Sequence, residues 1–184
     1  MGVEGVVHLG DVCCMHRHLD ETCRVLADAG VEGVWGNHDL GLCRAADEEV
    51  RRKFTPGVLD YMGRLQPHLV RDDCLLSHVE PWLDANDIFQ LWYFDGLPDT
   101  PQKLARCFDA VPQRVLFSGH NHRWFLATPD GPCEWRGECA IRLAPPGRYL
   151  LILHAVVLRH CATYDTATHL FTPIRLASAD TSDP

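Results

Sequence analysis

Apolar runs that stop at a glycine or a polar residue recur along the first two thirds of the chain. VEGVVHL, residues 3–9, reads as a buried strand halted at Gly10. A helical stretch of about 15 residues follows, with Leu19, Cys23, Leu26 and Ala29 at helical spacing before Gly30 ends it. VEGVW, residues 31–35, reads as a second strand stopping at Gly36. Strand, helix and strand in this order predict a βαβ unit with parallel neighbours and a right-handed crossover. Gly10-Asp11 and Gly36-Asn37 then leave the sheet at the same edge, which is where open α/β sheets bind ligands.

Further on, the charge-rich stretch from Arg44 to Leu65 predicts two short helices broken at Pro56-Gly57. The run Cys74 to Ser77 delivers His78, and RVLFS, residues 114–118, delivers the segment GHNH. Thr100-Pro101 predicts a helix N-cap with proline in the first turn, the helix closing before Pro112. RYLLILHAVVL and HLFTPIRL predict short strands, and the tail, residues 177–184, predicts disorder. No repeat or linker divides the chain, so residues 1–176 are expected to form one domain.

Composition narrows the function classes. A net charge of −8 argues against a nucleic-acid backbone or an anionic membrane as partner. A small phosphorylated substrate stays open, because divalent cations invert the local field. Nine cysteines without a CxxC, two of them adjacent, are poor material for a disulfide framework. Free thiols and a cytoplasmic location are the expectation, with Cys133 and Cys139 the pair able to close a small loop. The N-terminus has neither a basic start nor a long apolar stretch, so no secretory signal is read there.

Candidate chemistry sits where the apolar runs stop. LGD, GNHD, LLSH and SGHNH share one design, a β-like run ending at a side chain able to ligate a metal. His120 and His122, two apart on an extended backbone, would face one side with Asn121 turned away. Each segment alone has a plainer reading: a turn for GNHD, a helix cap for LGD, a core histidine for His78, a surface turn for HxH. Asp, Asn and His donors make a mixed site of intermediate hardness, suited to Mn, Fe or Zn. Arg17, Arg44 and Arg123 lie near these loops as phosphate contacts or as solvated surface residues. LWYF, residues 91–94, reads as an aromatic wall beside the metals, as core, or as a partner patch. His154, His160 and His169 have no glycine-turn context and read as structural.

In this order the motifs GD, GNHD, a lone His and GHNH, from Gly10 to His122, resemble the calcineurin-like metallophosphoesterase family. The resemblance implies an α/β two-sheet sandwich flanked by helices. It implies two divalent metal ions, with Asp11 bridging them, Asn37, His78 and His120 completing one site and His122 ligating the other. His38 would protonate the leaving group, oriented by Asp39. The activity implied is hydrolysis of a small phosphodiester or phosphomonoester by a hydroxide that the metals activate.

The chain departs from the family pattern at its start. The family's first motif, DxH on an upstream βα unit, has no counterpart in the ten residues before Asp11. One metal site is then complete and the other has two ligands. The natural protein could carry the missing strand upstream. Alternatively, the chain could be a degenerate member serving as a non-catalytic scaffold, as the retromer-type subunit does, or His16 and His18 could supply substitute ligands. An absent first βα unit would leave the strand at residues 3–9 with an unpaired edge.

Overall fold

The computed structural model describes residues 2–13, 18–44 and 47–177. In chain order the first half runs β1 (Val7–His8), α1 (Leu19–Asp28), β2 (Glu32–Gly33), α2 (Leu40–Cys43), α3 (Glu48–Arg51), α4 (Pro56–Met62), β3 (His68–Arg71), β4 (Cys74–Ser77) and α5 (Ile88–Leu91). The second half runs α6 (Pro101–Asp109), β5 (Val115–Ser118), β6 (Phe125–Thr128), β7 (Gly131–Pro132), β8 (Ile141–Arg142), β9 (Tyr149–Ile152), β10 (His160–Asp165) and β11 (Leu170–Arg175), with a 3-10 turn at Val156–Leu158.

A six-stranded mixed sheet, ordered β3-β4-β5-β9-β6-β7, forms the centre. Its inner strands β4, β5, β9 and β6 are buried on both faces, which is why they read as continuous apolar runs rather than as alternation. Val115, Phe117, Leu126 and Leu151 point to one face. There they meet Trp135, Ile141, Tyr164 and Phe171, so the three-stranded sheet β10-β11-β8 packs over the large one as the second layer of a sandwich. Leu75, Leu116, Phe125, Ala127, Leu150 and Ile152 point to the other face, against Leu104, Cys107 and Phe108 of α6. That helix starts as its sequence predicts, Thr100 accepting the Lys103 N–H at 3.4 Å with Pro101 in the first turn.

β1 and β2 pair in parallel, Val7 with Glu32 and His8 with Gly33, and α1 crosses between them. Beyond β2 a parallel bridge joins Val34 to Gln66. Among the described residues β1 pairs with β2 alone, so its ladder lasts two residues and residues 2–6 stay exposed. The strand expected over 3–9 is therefore much shorter. α1 and α4 close a separate core with Trp35, Val58, Tyr61 and Met62. Pro56-Gly57 does not break a helix but opens α4, with Thr55 as the cap. A proline in a first helical turn lacks only an N–H that has no intrahelical partner there. No described helix is long and apolar enough to cross a membrane. The eight described cysteines, Cys133 and Cys139 among them, are free thiols.

Candidate metal centre

Four loops meet at one edge of the sheets: those after β1, after β2, after β4 and after β5. Gly36 shows how tightly. A Cβ there would lie 2.1 Å from Asp11 Oδ1 and 2.7 Å from the Asp11 backbone N, so only glycine lets the first two loops close together. Gly10 is the reciprocal case: its φ is +92°, and a Cβ would lie 2.6 Å from both Gly36 N and His78 Nδ1. The third and fourth loops are joined by the His78 carbonyl, which accepts from Gly119 N and from Ser118 Oγ, both at 3.0 Å.

Within this frame the structure brings Asp11, Asn37, His78 and His120 together. The Asn37 amide oxygen lies 2.9 Å from His78 Nε2 and 3.1 Å from His120 Nδ1. The two ring nitrogens are 3.2 Å apart, and Asp11 Oδ2 is 3.5 Å from His78 Nε2. Asn37 and His78 are buried. His78 Nδ1 lies 2.6 Å from the Leu9 carbonyl, which can only accept, so Nδ1 carries a proton and Nε2 is the ring nitrogen that faces the cluster. Burial, with the His78 ring beside it, pushes the His120 imidazole down to about 4.

This donor set fits a divalent ion. Two donors bound at about 2.1 Å, at angles between octahedral and tetrahedral, stand about 3.0–3.4 Å apart, the spacing seen here. An amide oxygen, a carboxylate and two imidazole nitrogens are the oxygen and nitrogen donors such an ion takes. Among the described residues no three His, Cys, Asp or Glu side chains form a metal site on their own; the convergence is centred on the Asn37 amide oxygen.

The remaining site candidates fall elsewhere. His38 is exposed on the rim, its backbone N–H donating to Asp11 Oδ1 at 3.2 Å and its ring edge-on to Trp92 at 4.9 Å. Contrary to the expectation from sequence, Asp39 does not orient the His38 ring. It is fully buried, and its carboxylate accepts backbone N–H groups from Asp11 at 2.6 Å, Cys13 at 2.8 Å, Gly36 at 2.9 Å and Val12 at 3.3 Å. Those four donors occupy both oxygens, so Asp39 fastens the first loop to the second.

His120 and His122 also depart from the expected strand geometry. Their φ angles are +61° and +51°, so the backbone after β5 is turned rather than extended and the i, i+2 argument does not apply. His122 is exposed and lines a neighbouring cleft with Arg123, Arg136, His154 and His160. His154 and His160, whose ring centres lie 4.2 Å apart with the planes tilted, read from the sequence as structural residues, and no local motif marks them otherwise. Arg44 lies near Asp84 instead of in the cleft. His18 occupies the exposed N-cap of α1, while His16 and Arg17, like the tail from 178 onwards, lie outside the described residues.

Comparison with known proteins gives the family and the fold. The profile of the calcineurin-like phosphoesterase superfamily domain matches residues 1–165, and the chain belongs to that family. A metallophosphoesterase from Sphaerobacter thermophilus has a similar crystal structure, with a TM-score of 0.71 at 20% identity over 96% of this chain and 78% of that one. No curated protein matches the chain.

Proposed function

We propose that this chain hydrolyses a small phosphodiester or phosphomonoester with the help of a divalent cation at Asp11, Asn37, His78 and His120. The observation that carries the reading is the mutual spacing of those four donors, 2.9–3.5 Å for the pairs given above. A Mn, Fe or Zn ion there would supply charge neutralisation at the phosphoryl oxygens and acidify a water molecule. The chain's own residues supply the rest. Leu9 fixes the His78 tautomer through its carbonyl, and Asp39 holds the Asp11 backbone in place. His38, on the rim and anchored by its backbone to Asp11, protonates the departing alkoxide. The family resemblance would give a second ion Asp11 and His122, and His122 lines the neighbouring cleft in this structure. The free thiols suit a reducing, cytoplasmic setting.

The test is turnover of bis-p-nitrophenyl phosphate and p-nitrophenyl phosphate with added Mn, Fe or Zn. Cation-dependent hydrolysis is expected, lost in Asp11→Ala and His120→Ala and reduced at least about a hundredfold in His38→Ala. A folded protein that binds these ions but turns over neither ester overturns the hydrolytic reading.

A further inference from the structure

The segment after α5 places two large aromatic rings in solvent at the lip of the metal centre. Trp92 is 54% exposed and Phe94 63%. Trp92 stands edge-on to His38, ring centres 4.9 Å apart, and Phe94 edge-on to His120 at 5.9 Å. Tyr93 between them turns to a different neighbour, the Trp82 ring at 5.6 Å.

That intervening contact anchors the segment. Arg106 of α6 lies 3.5 Å over the Trp82 ring, which Tyr93 meets edge-on, so Trp82 joins the segment to the helix. Lys103, also on α6, donates to the Asp95 carbonyl at 2.8 Å and pairs with the Asp95 carboxylate at 3.0 Å, while Tyr93 donates its hydroxyl to the same carboxylate at 3.1 Å. α6 in turn is packed on the central sheet. The exposed rings are thus held by a clamp to a rigid helix, the condition under which an aromatic platform gains affinity without an ordering cost.

Resting on the hydrolytic reading above, we infer that Trp92 and Phe94 form a stacking platform for a planar ring on the substrate's ester arm, so that the substrate class is nucleoside or aryl phosphoesters. Anything covering these rings also stands over His38 and His120, which suits a small ester with its phosphate at the metal centre. A protein bound there would close the site. Because Trp92 touches His38, the residue that serves the leaving oxygen, the ring belongs to the leaving alcohol. Stacking accepts any π-face, so the platform selects planar groups over sugars and alkyl chains.

Hydrolysis-resistant phosphonates test this on the Mn-loaded chain by calorimetry: the methylenephosphonate analogue of adenosine 5′-monophosphate, benzylphosphonate and ethylphosphonate. The ring-bearing ligands should bind at least about fivefold more tightly than ethylphosphonate, the effect of one aromatic stack. Whichever of the two binds more tightly distinguishes a nucleoside from a simple aryl group. Trp92→Ala with Phe94→Ala should bring the ratio close to one, while Trp92→Phe should keep most of it. Equal affinities for all three ligands, a ratio that survives the double substitution, or no binding by a chain that still hydrolyses bis-p-nitrophenyl phosphate overturns the platform and leaves the hydrolytic reading standing. A dimer in solution that the double substitution splits assigns the rings to a second copy and overturns it as well.

Discussion

The backbone N–H of Asp11 donates to the Asp39 carboxylate at 2.6 Å, joining the loop after β1 to the loop after β2. Three more backbone donors, from Val12, Cys13 and Gly36, end on the same carboxylate. A buried carboxylate is tolerable only with such partners, and each charge-assisted bond adds more than a neutral one. The position of Asp11 therefore depends on a side chain that does not itself face the cluster.

Asp39→Asn should expose that dependence. The amide keeps one acceptor and turns an NH2 group towards a backbone N–H, leaving a buried donor unmatched. A loss of about 3 kcal/mol is expected, lowering Tm by about 6–12 °C in a chain of this size. Mn affinity should weaken by about 10- to 100-fold, as when a ligand's supporting partner is removed. Calorimetric Mn titration with thermal denaturation checks both. Unchanged Mn affinity would show that Asp11 holds its place without Asp39.

Much of this site was legible in the sequence because it is built at chain reversals. Gly10 and Gly36 mark close backbone approach, and the strand-end positions of Asp11, Asn37, His78 and His120 follow from the βα rhythm. Asp39 was misread because its neighbour in sequence, His38, is not its neighbour in space: its partners are backbone N–H groups up to 28 residues away, which carry no residue signature. The expected geometry of His120 and His122 fails on two positive φ angles at non-glycine residues, a conformation their residue types do not announce. The segment at Trp92 and Phe94 has three readings from sequence, wall, core or partner patch, and the exposure of both rings removes the core reading alone.

A second dependence concerns acid. His8 Nδ1 accepts the Gly10 N–H at 3.2 Å, so Nε2 carries the proton and donates to the Tyr61 hydroxyl at 3.0 Å, which donates onward to the Val31 carbonyl at 3.3 Å. This relay joins β1 to α4 and to the residue before β2. It requires a neutral ring, and burial pushes the imidazole from 6.5 down to about 4. The unfolded chain then takes up a proton that the folded chain refuses. The stabilisation from the neutral ring is complete above about pH 6.5 and is lost as pH falls towards 4, by up to about 3 kcal/mol. Urea denaturation at pH 7.5 and 4.5 should show this decline in the native chain and a smaller one in His8→Gln. Identical declines would place the acid sensitivity elsewhere.

Asn37 offers the sharpest check on the metal centre, because a single atom can be exchanged there. For the native chain, Mn at about 100 times its Kd should add about 2.7 kcal/mol of stability, raising Tm by about 5–10 °C. Asn37→Asp replaces the shared amide with a carboxylate in a buried position, across the His78 ring nitrogen from the Asp11 carboxylate. Without metal the two like charges repel at short range, so the apo protein should melt lower than the native apo protein. With Mn the added charge becomes a stronger donor, so the variant should gain more in Tm from the same ion than the native chain does. Asn37→Ala removes the donor and should shrink the gain. Thermal melts of the three proteins, each with EDTA and with Mn, read the whole series. Equal gains across the three would show that no ion binds at the Asn37 oxygen.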